Sequence, residues 1–530
     1  MRVIDINASF GKRVSDDERF SLAAMVRELD RHAVACAVLY HEQAVHYSME
    51  AGNRLAIEAG RENPRIIPAA VLNPRDALRW PGELDRCLRQ GVRVFRFFPS
   101  ANAASVRGRV FGQMLQALRG SGAVVMVPAS DCAPEGDALT WLAEQTQACG
   151  LPLLLTELAY SFLYEIMAVM RQFPHVHGET NWLATEGTIE VLVEGGSQGD
   201  PQTRRVAFGG PSRYVGMGGP ALGAGRFLYG SAAPARPMQK ALNQVLETGL
   251  GRADKAAILG GNAIRLLGLD SAALEKLPQL PSAEPAMFDG PLVDVHSHLG
   301  YWPLPMPNED YDPAPMLKRM RRYGITCGIV SSYESMRYDI AAGNRRVADA
   351  IQGHPELRGY VEINPHQFEL SCREMDRYLR LPNFVGVEME LTHIPCPTGG
   401  EKVRRLMAEA ARRCRAILFM AAGDDAPAER ELGRQFPDFT IIHAHGFDPD
   451  WARTVADTPN VCVEFCLSRA SHLNVRDALD ILGPRRVLFG TDQTLLSVGA
   501  AVGLYWDAQM SPQERPLVLS ENARRIFALK

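Results

Sequence analysis

Several absences narrow the reading of this 530-residue chain. No apolar run approaches the ~20 residues that cross a bilayer, so neither a membrane span nor a membrane partner is expected. The ten cysteines (Cys36, Cys87, Cys132, Cys149, Cys327, Cys372, Cys396, Cys414, Cys462 and Cys466) form no Cys-x-x-Cys pair, which argues against a zinc ribbon or a dithiol redox site. Charge of one sign is scarce: 57 basic against 61 acidic residues leave a formal charge of -4, which gives nucleic acid no surface to bind. No Gly-x-Gly-x-x-Gly follows an early strand, so a Rossmann-type dehydrogenase is disfavoured. The glycine-rich stretch between Glu194 and Gly225 lacks the Gly-Lys-Ser/Thr of a P-loop and reads as a flexible surface loop. Met1-Arg2-Val3-Ile4-Asp5 enters a strand directly, and the chain reads as a reduced, cytoplasmic protein.

What is present is alternation. Short apolar runs separated by helical-period segments predict parallel strands joined by crossover helices. Eight strands are expected in the first half: Arg2 to Ile6, Val34 to Tyr40, Ile66 to Leu72, Val92 to Phe98, Val124 to Val127, Leu151 to Thr156, Val176 to Asn181 and Phe227 to Gly230. Residues 271–290, rich in Pro, Ala and Glu, read as a linker. Eight more strands follow: Val293 to His296, Cys327 to Ser331, Gly359 to Ile363, Val385 to Met389, Ala416 to Met420, Phe439 to His443, Val461 to Phe465 and Val487 to Gly490.

The halves also match in detail. Val3 to Ser9 parallels Leu292 to His298, Leu72-Asn73-Pro74 parallels Ile363-Asn364-Pro365, and Gly91-Val92-Arg93 is paired with Gly386-Val387-Glu388. Leu228-Tyr229-Gly230-Ser231-Ala232 parallels Leu488-Phe489-Gly490-Thr491-Asp492, and Gly261-Asn262-Ala263 parallels Glu521-Asn522-Ala523. The expected fold class is therefore α/β, two tandem (β/α)8 barrels over residues 1–270 and 291–530, each near the ~250 residues typical of that fold. Ser511, Pro512 and Glu514 form an N-cap, first-turn proline and capping-box acid for the last helix. Its inward stripe is read as Leu517, Leu519, Ala523, Ile526 and Phe527.

Active sites in such barrels gather at the C-terminal ends of the strands. In the second unit that rim receives His296 and His298 from the first strand and Glu388 and Glu390 from the fourth, with His393 just beyond. The sixth strand adds His443 and His445, the seventh Glu464 and the eighth Asp492. His-x-His on a strand points both rings to one face, although a buried pair without metal fits the same two residues. Glu388, Glu390 and Glu464 could equally serve buried ion pairs, and Asp492 could cap the next segment. Jointly they describe imidazole and carboxylate ligation of one divalent metal with an open position.

Asp294-Val295-His296-Ser297-His298, Ile442-His443-Ala444-His445-Gly446, Phe489-Gly490-Thr491-Asp492 and the closing Ser520-Glu521-Asn522-Ala523-Arg524-Arg525-Ile526 resemble the amidohydrolase superfamily. The most similar branch includes aminocarboxymuconate-semialdehyde decarboxylase and the resorcylate decarboxylases. The resemblance covers residues 291–530 well and reaches 1–270 only through the repeat. It implies one ion, zinc before manganese or iron, held by His296 and His298, with Asp492 as a ligand or as the base acting on water. His445 would polarise the substrate or help proton transfer.

Two departures accompany the resemblance. The fifth strand ends Phe419-Met420-Ala421-Ala422-Gly423 where such relatives carry a metal histidine, and Glu388 stands in the fourth-strand pattern where they carry lysine. Glu388 or His443 is the candidate replacement. In the first unit Asn7 and Ser9 replace the histidine pair and Ser231-Ala232 replaces Thr-Asp, so that barrel is expected to lack metal-site residues and to pack on the second as a built-in pseudo-dimer partner. His175 and His177, near its seventh strand, could bind something, but read first as satisfied surface histidines. The implied activity is hydrolysis of a small-molecule amide, ester or lactone, or a non-oxidative decarboxylation that would use the same ligands. The alternative is a catalytically inactive binding or scaffold protein. Tyr301, Trp302, His393 and Arg337 are the candidate substrate-binding residues.

Overall fold

The computed structural model describes residues 1–12, 20–132, 135–195, 220–302, 311–421, 425–447, 449–469 and 474–529. Most of the glycine-rich stretch, and Ala422 and Gly423 after the fifth strand, lie outside them. The chain divides into two compact units, the first reaching Pro285 and the second running from Ala286, with Thr185–Gly187 grouped with the second.

Each unit holds one eight-stranded parallel sheet whose strands neighbour one another in sequence order. The first comprises β1 (Ile4–Phe10), β2 (Cys36–His41), β3 (Ile66–Val71), β4 (Val94–Arg96), β5 (Val124–Pro128), β6 (Leu153–Thr156), β7 (Val176–Glu179) and β8 (Phe227–Leu228). The second comprises β9 (Leu292–Leu299), β10 (Ile325–Ser332), β11 (Leu357–Glu362), β12 (Phe384–Glu390), β13 (Ala416–Met420), β14 (Thr440–His443), β15 (Val461–Phe465) and β16 (Val487–Phe489). Each barrel is completed by chain that follows its last strand. Ile6 N–H donates to Tyr229 O at 3.0 Å and Ala232 N–H to Asn7 O at 2.7 Å. In the second unit Asp492 N–H donates to His296 O at 2.8 Å and His298 N–H to Gln493 O at 2.6 Å. The two tandem (β/α)8 barrels expected from the alternation are thus present.

The duplication extends to buried polar devices. Asp5 Oδ1 accepts the backbone N–H of Asn7 and of Ser231, as Asp294 Oδ1 accepts those of His296 and Thr491. Asn262 and Asn522 each donate to two carbonyls at the start of the eighth strand of their own barrel. Asn53 donates to Val71 O and Asn344 to Glu362 O, which makes Val71 the cognate of Glu362. Since Val71 pairs with Arg96 and Glu362 with Glu388, Arg96 is the cognate of Glu388. The alignment of Arg93 with Glu388 is therefore three residues out of register; a short Gly-Val-x match cannot fix register where backbone pairing can.

The expected linker also differs from what the chain forms. Asp270 caps a helical turn at Ser271–Leu274, and Leu274 is buried among Ile4, Val38 and Leu228 of the first barrel. Leu280 then exchanges backbone hydrogen bonds with Met1. Proline and alanine dominate the composition here, but a few leucines are enough to dock the segment. In the last helix the capping box forms as read, Ser511 N–H donating to Glu514 and Glu514 N–H to the Ser511 hydroxyl. A π-turn at Leu517–Glu521 then adds a residue to the turn, so Val518 and Leu519 face inward and Leu517 is only partly covered.

Candidate metal centre

His296 and His298 sit at the C-terminal end of β9, next to a register shift between Asp294 and Ser297 where three residues of β9 span two of β10. Such a bulge re-aims side chains beside functional sites. The two rings stand at 90° with Nε2 atoms 2.9 Å apart, facing each other. Each Nδ1 is engaged elsewhere: His296 with Glu464 Oε1 at 2.8 Å, His298 with the Ser331 hydroxyl at 2.8 Å. This leaves both Nε2 atoms directed inward, the arrangement in which a ligating imidazole is oriented through its other nitrogen.

Asp492 completes the group. Its backbone is fixed to the ligand strand by the bond to His296 O, and it adopts φ +54°, an uncommon conformation outside glycine that concentrates at functional positions. Its Oδ1 lies 3.3 Å from His298 Nε2 and 3.9 Å from His296 Nε2. These three donors, all buried, form a compact set able to hold one ion.

Glu464 is the piece that sequence reasoning left undecided between scaffold and site. Its Oε1 accepts both from His296 Nδ1 and from the backbone N–H of His445, at 2.7 Å, so it fixes two functional histidines at once. Gly490 makes room for it, since a Cβ there would lie 2.1 Å from Glu464 Oε2. Ser331 was not anticipated; its only signal was its place at the end of β10, opposite His298 in the register.

His445 adopts φ +72° and stacks on His296 at 5.0 Å. Its buried Nε2 has no hydrogen-bond partner among the described residues and lies 4.0 Å from Asp492 Oδ2. His443 is placed differently from its candidate role as the missing ligand. Its Nδ1 is held by Glu429 at 2.9 Å and its Nε2 by Gly446 O at 2.9 Å, so both nitrogens serve the scaffold. Glu388 remains the candidate fourth donor: it is fully buried, and neither carboxylate oxygen has a well-formed hydrogen bond among the described residues, with the Ser331 hydroxyl acting on it from nearby. Glu362, paired with it in register, is likewise buried and without a well-formed hydrogen bond among the described residues, the backbone N–H of Glu390 acting on it from nearby, while Glu390 accepts from His393 N–H.

The electrostatics follow from burial. Burial drives His298 and His445 well below the ordinary imidazole range, with the charge on His296 adding to it, so both stay neutral and able to ligate or accept. Burial also opposes charge on His296, yet Glu464, Asp492 and Glu388 together raise it to about 10. Burial pushes Asp492 and Glu388 up to about 7, each moderated by His296. Burying this many ionisable groups is costly unless something neutralises them, and a divalent cation fits the donor set.

Of the candidate substrate residues, three gather. Trp302 packs against Tyr333 at 5.3 Å, His393 at 5.6 Å and the Arg337 guanidinium at 5.2 Å, and Tyr333 in turn touches His298 at 4.8 Å. Tyr301 instead meets Tyr311. In the first barrel His175 Nε2 meets Thr146 Oγ1 at 3.0 Å, but the Nδ1 of both His175 and His177 is buried without a hydrogen-bond partner among the described residues, so the pair is not fully satisfied as expected, and burial pushes His177 down to about 4.

Fold and site together define a tandem (β/α)8 protein with a candidate two-histidine, one-aspartate metal centre in its second barrel. The chain belongs to the amidohydrolase family, which it matches over residues 5–269 and again over 293–529. Solved structures similar to it include 5-carboxyvanillate decarboxylase from Sphingomonas paucimobilis, at 14% identity over 45% of this chain and 99% of that one, TM-score 0.38. A dihydroxybenzoic acid decarboxylase from Polaromonas, with bound manganese and 2-nitroresorcinol, is 15% identical over 45% and 97%, TM-score 0.36. A 2-pyrone-4,6-dicarboxylic acid hydrolase, so described putatively, from Pseudomonas putida is 18% identical over 45% and 98%, TM-score 0.35. No match was found among curated proteins.

Proposed function

We propose that the second barrel is a metal-dependent hydrolase acting on a small, neutral amide, ester or lactone. The observation that carries this reading is the convergence of His296 Nε2, His298 Nε2 and Asp492 Oδ1 within 3.9 Å of one another, each histidine oriented by its other nitrogen. His296, His298 and Asp492 would hold the ion, with Glu388 as a fourth donor; zinc, manganese or iron suits such a mixed set. When bound, it supplies Lewis acidity and brings the pKa of water toward roughly 7.

The chain's own groups then have distinct tasks. Asp492 Oδ2, directed away from the histidine pair, takes the proton of the attacking water. His445 is neutral and turned toward that oxygen, so it serves the substrate oxygen on which charge develops. Trp302, with Arg337 and His393 around it, forms the wall that orients the substrate body.

Three buried carboxylates, Glu362, Glu388 and Glu390, flank the centre on the β11 and β12 side. These carboxyl groups offer no counter-charge for a substrate carboxylate on that side, which is why hydrolysis of a neutral carbonyl is preferred to decarboxylation of a carboxylate. Non-oxidative decarboxylation is the second reading, supported by the Arg337 guanidinium beside Trp302. Elemental analysis followed by turnover of a lactone and ester panel against a hydroxybenzoate panel tests the proposal. One metal per chain with lactone or ester turnover that Asp492→Ala abolishes supports it. Hydroxybenzoate turnover alone transfers the assignment to the second reading, and metal-independent inactivity on both panels refutes both in favour of a binding protein.

A further inference from the structure

The mouth of the first barrel is built, not vacated. The cognate positions can be read residue by residue from shared backbone bonds. Asn7 stands for His296, Ser9 for His298, Ala232 for Asp492, Glu157 for His445 and Arg96 for Glu388. Even the backbone strain is kept, with φ +56° at Ala232 and +55° at Glu157. The metal donors are gone, and a buried carboxylate facing the site has become a buried guanidinium. At the Glu388 position the fixed charge has changed sign, while the His445 position has gained the carboxyl of Glu157.

These residues surround a cavity of about 240 Å³, just under the ~300 Å³ at the small end of ligand pockets. Arg96 is only 4% exposed; Glu42, Glu157 and Glu179 act on its charge, yet none of them makes an ion pair with it among the described residues. One N–H donates to Asn7 Oδ1 at 2.8 Å, and its face packs on Tyr40 at 4.4 Å and Phe98 at 4.8 Å. Stacking occupies the face of a guanidinium and leaves its edge, the part that grips an oxyanion with two parallel hydrogen bonds, free to donate. A second guanidinium, Arg236, lies on Trp182 at 3.9 Å and lines the same cavity. The acids that share the lining are held away from the Arg96 edge by other bonds, Glu42 by Tyr40 and His46 and Glu157 by Ser130. A buried cation without a direct ion pair is unfavourable, and a bound anion offsets that cost.

We propose that the first barrel binds a small planar carboxylate at its C-terminal mouth without metal, its carboxylate on Arg96 and its flat body among Tyr40, Phe98 and Trp182. This site is separate from the centre of the second barrel and stands whether or not that centre is catalytic. The test is calorimetric titration of the full chain, stripped of metal by chelation, with benzoate as the probe and inorganic phosphate as the comparison. One benzoate per chain is expected, weakened about tenfold or more by Arg96→Gln and by Arg236→Gln and unchanged in His296→Ala. Arg236 is partly exposed, so its variant keeps the test meaningful if Arg96→Gln fails to fold. Absence of saturable benzoate binding overturns the proposal, as does binding that both arginine variants leave intact or that His296→Ala abolishes. Phosphate binding as tightly as benzoate overturns the planar-body assignment.

Discussion

Asp294 offers the sharpest test of how fold and site are joined. Its carboxylate is fully buried and accepts five hydrogen bonds that tie β9 to the chain after β16. Oδ1 takes the backbone N–H of His296 and Thr491, both at 3.1 Å. Oδ2 takes the hydroxyls of Ser297 and Thr491 at 2.7 and 2.6 Å and the Gln493 amide at 2.9 Å. In Asp294→Ala the hydroxyls and the Gln493 amide can turn to other partners, but the two backbone donors cannot move. Each orphaned donor costs about 1–3 kcal/mol, so the second unit should lose about 4 kcal/mol. For a unit of this size 1 kcal/mol shifts Tm by about 2–4 °C, which predicts a fall of about 8–16 °C in one calorimetric transition. Asp294→Asn should cost far less, because its oxygen still serves both backbone donors. Its amide can donate to Thr491 or to Gln493 Oε1, which is buried without a partner among the described residues. The same bonds flank His296 and Asp492, so metal affinity should drop with Tm in the alanine variant and survive in the asparagine one. A Tm change under about 3 °C for Asp294→Ala, or equal effects of the two substitutions, would refute the reasoning.

Other consequences are as direct. His445→Ala, which removes no member of the His296, His298 and Asp492 set, should retain metal by elemental analysis while turnover falls about 100-fold, the scale of a lost proton-transfer or oxyanion partner. Gly490→Ala places a methyl against Glu464, so it should loosen His296 and lower metal affinity at a stability cost of about 1–3 kcal/mol, read by chelator competition and thermal melts. In the first unit burial raises Asp5 to about 6 and Glu179 to about 7. The folded state therefore holds protons that the unfolded chain has lost, and stability should fall as pH rises from about 4 to 7. Glu179→Gln should flatten that slope in melts at pH 5 and 8, and an unchanged slope would count against it.

Much of the architecture was legible because parallel barrels write themselves as apolar runs at regular spacing, and every expected strand overlaps an observed one. The ends moved wherever backbone pairing, not hydrophobicity, decides them: β1 and β9 run on past Ile6 and His296 because residues after the eighth strand pair with them. The metal group was readable in outline from His296, His298 and Asp492, since a strand's period and the end of the barrel place them. What orients them was not. Glu464 and His443 look alike in sequence, each an ionisable residue on an inner strand, and only the contacts separate the one that fixes a ligand from the one held by Glu429 and Gly446. Register was the other gap, because the Gly-Val match sets Arg93 opposite Glu388 while backbone pairing sets Arg96 there.

That gap bears on how the first barrel is understood. Scored by missing ligands, it is a scaffold that has lost a site, and Asn7, Ser9 and Ala232 are simple losses. Placed in the correct register, the Glu388 position carries an arginine that is buried and stacked on two rings. Neutral drift at a position relieved of metal binding would favour removing a buried charge, because an apolar side chain there is less costly than an unpaired guanidinium. A charge of opposite sign, packed between rings and bonded to the residue that replaced the first histidine, is what selection for an anionic occupant would leave. A barrel without a metal needs another positive centre at its mouth to hold an anion, and Arg96, with Arg236 lining the same cavity, supplies it from the chain itself.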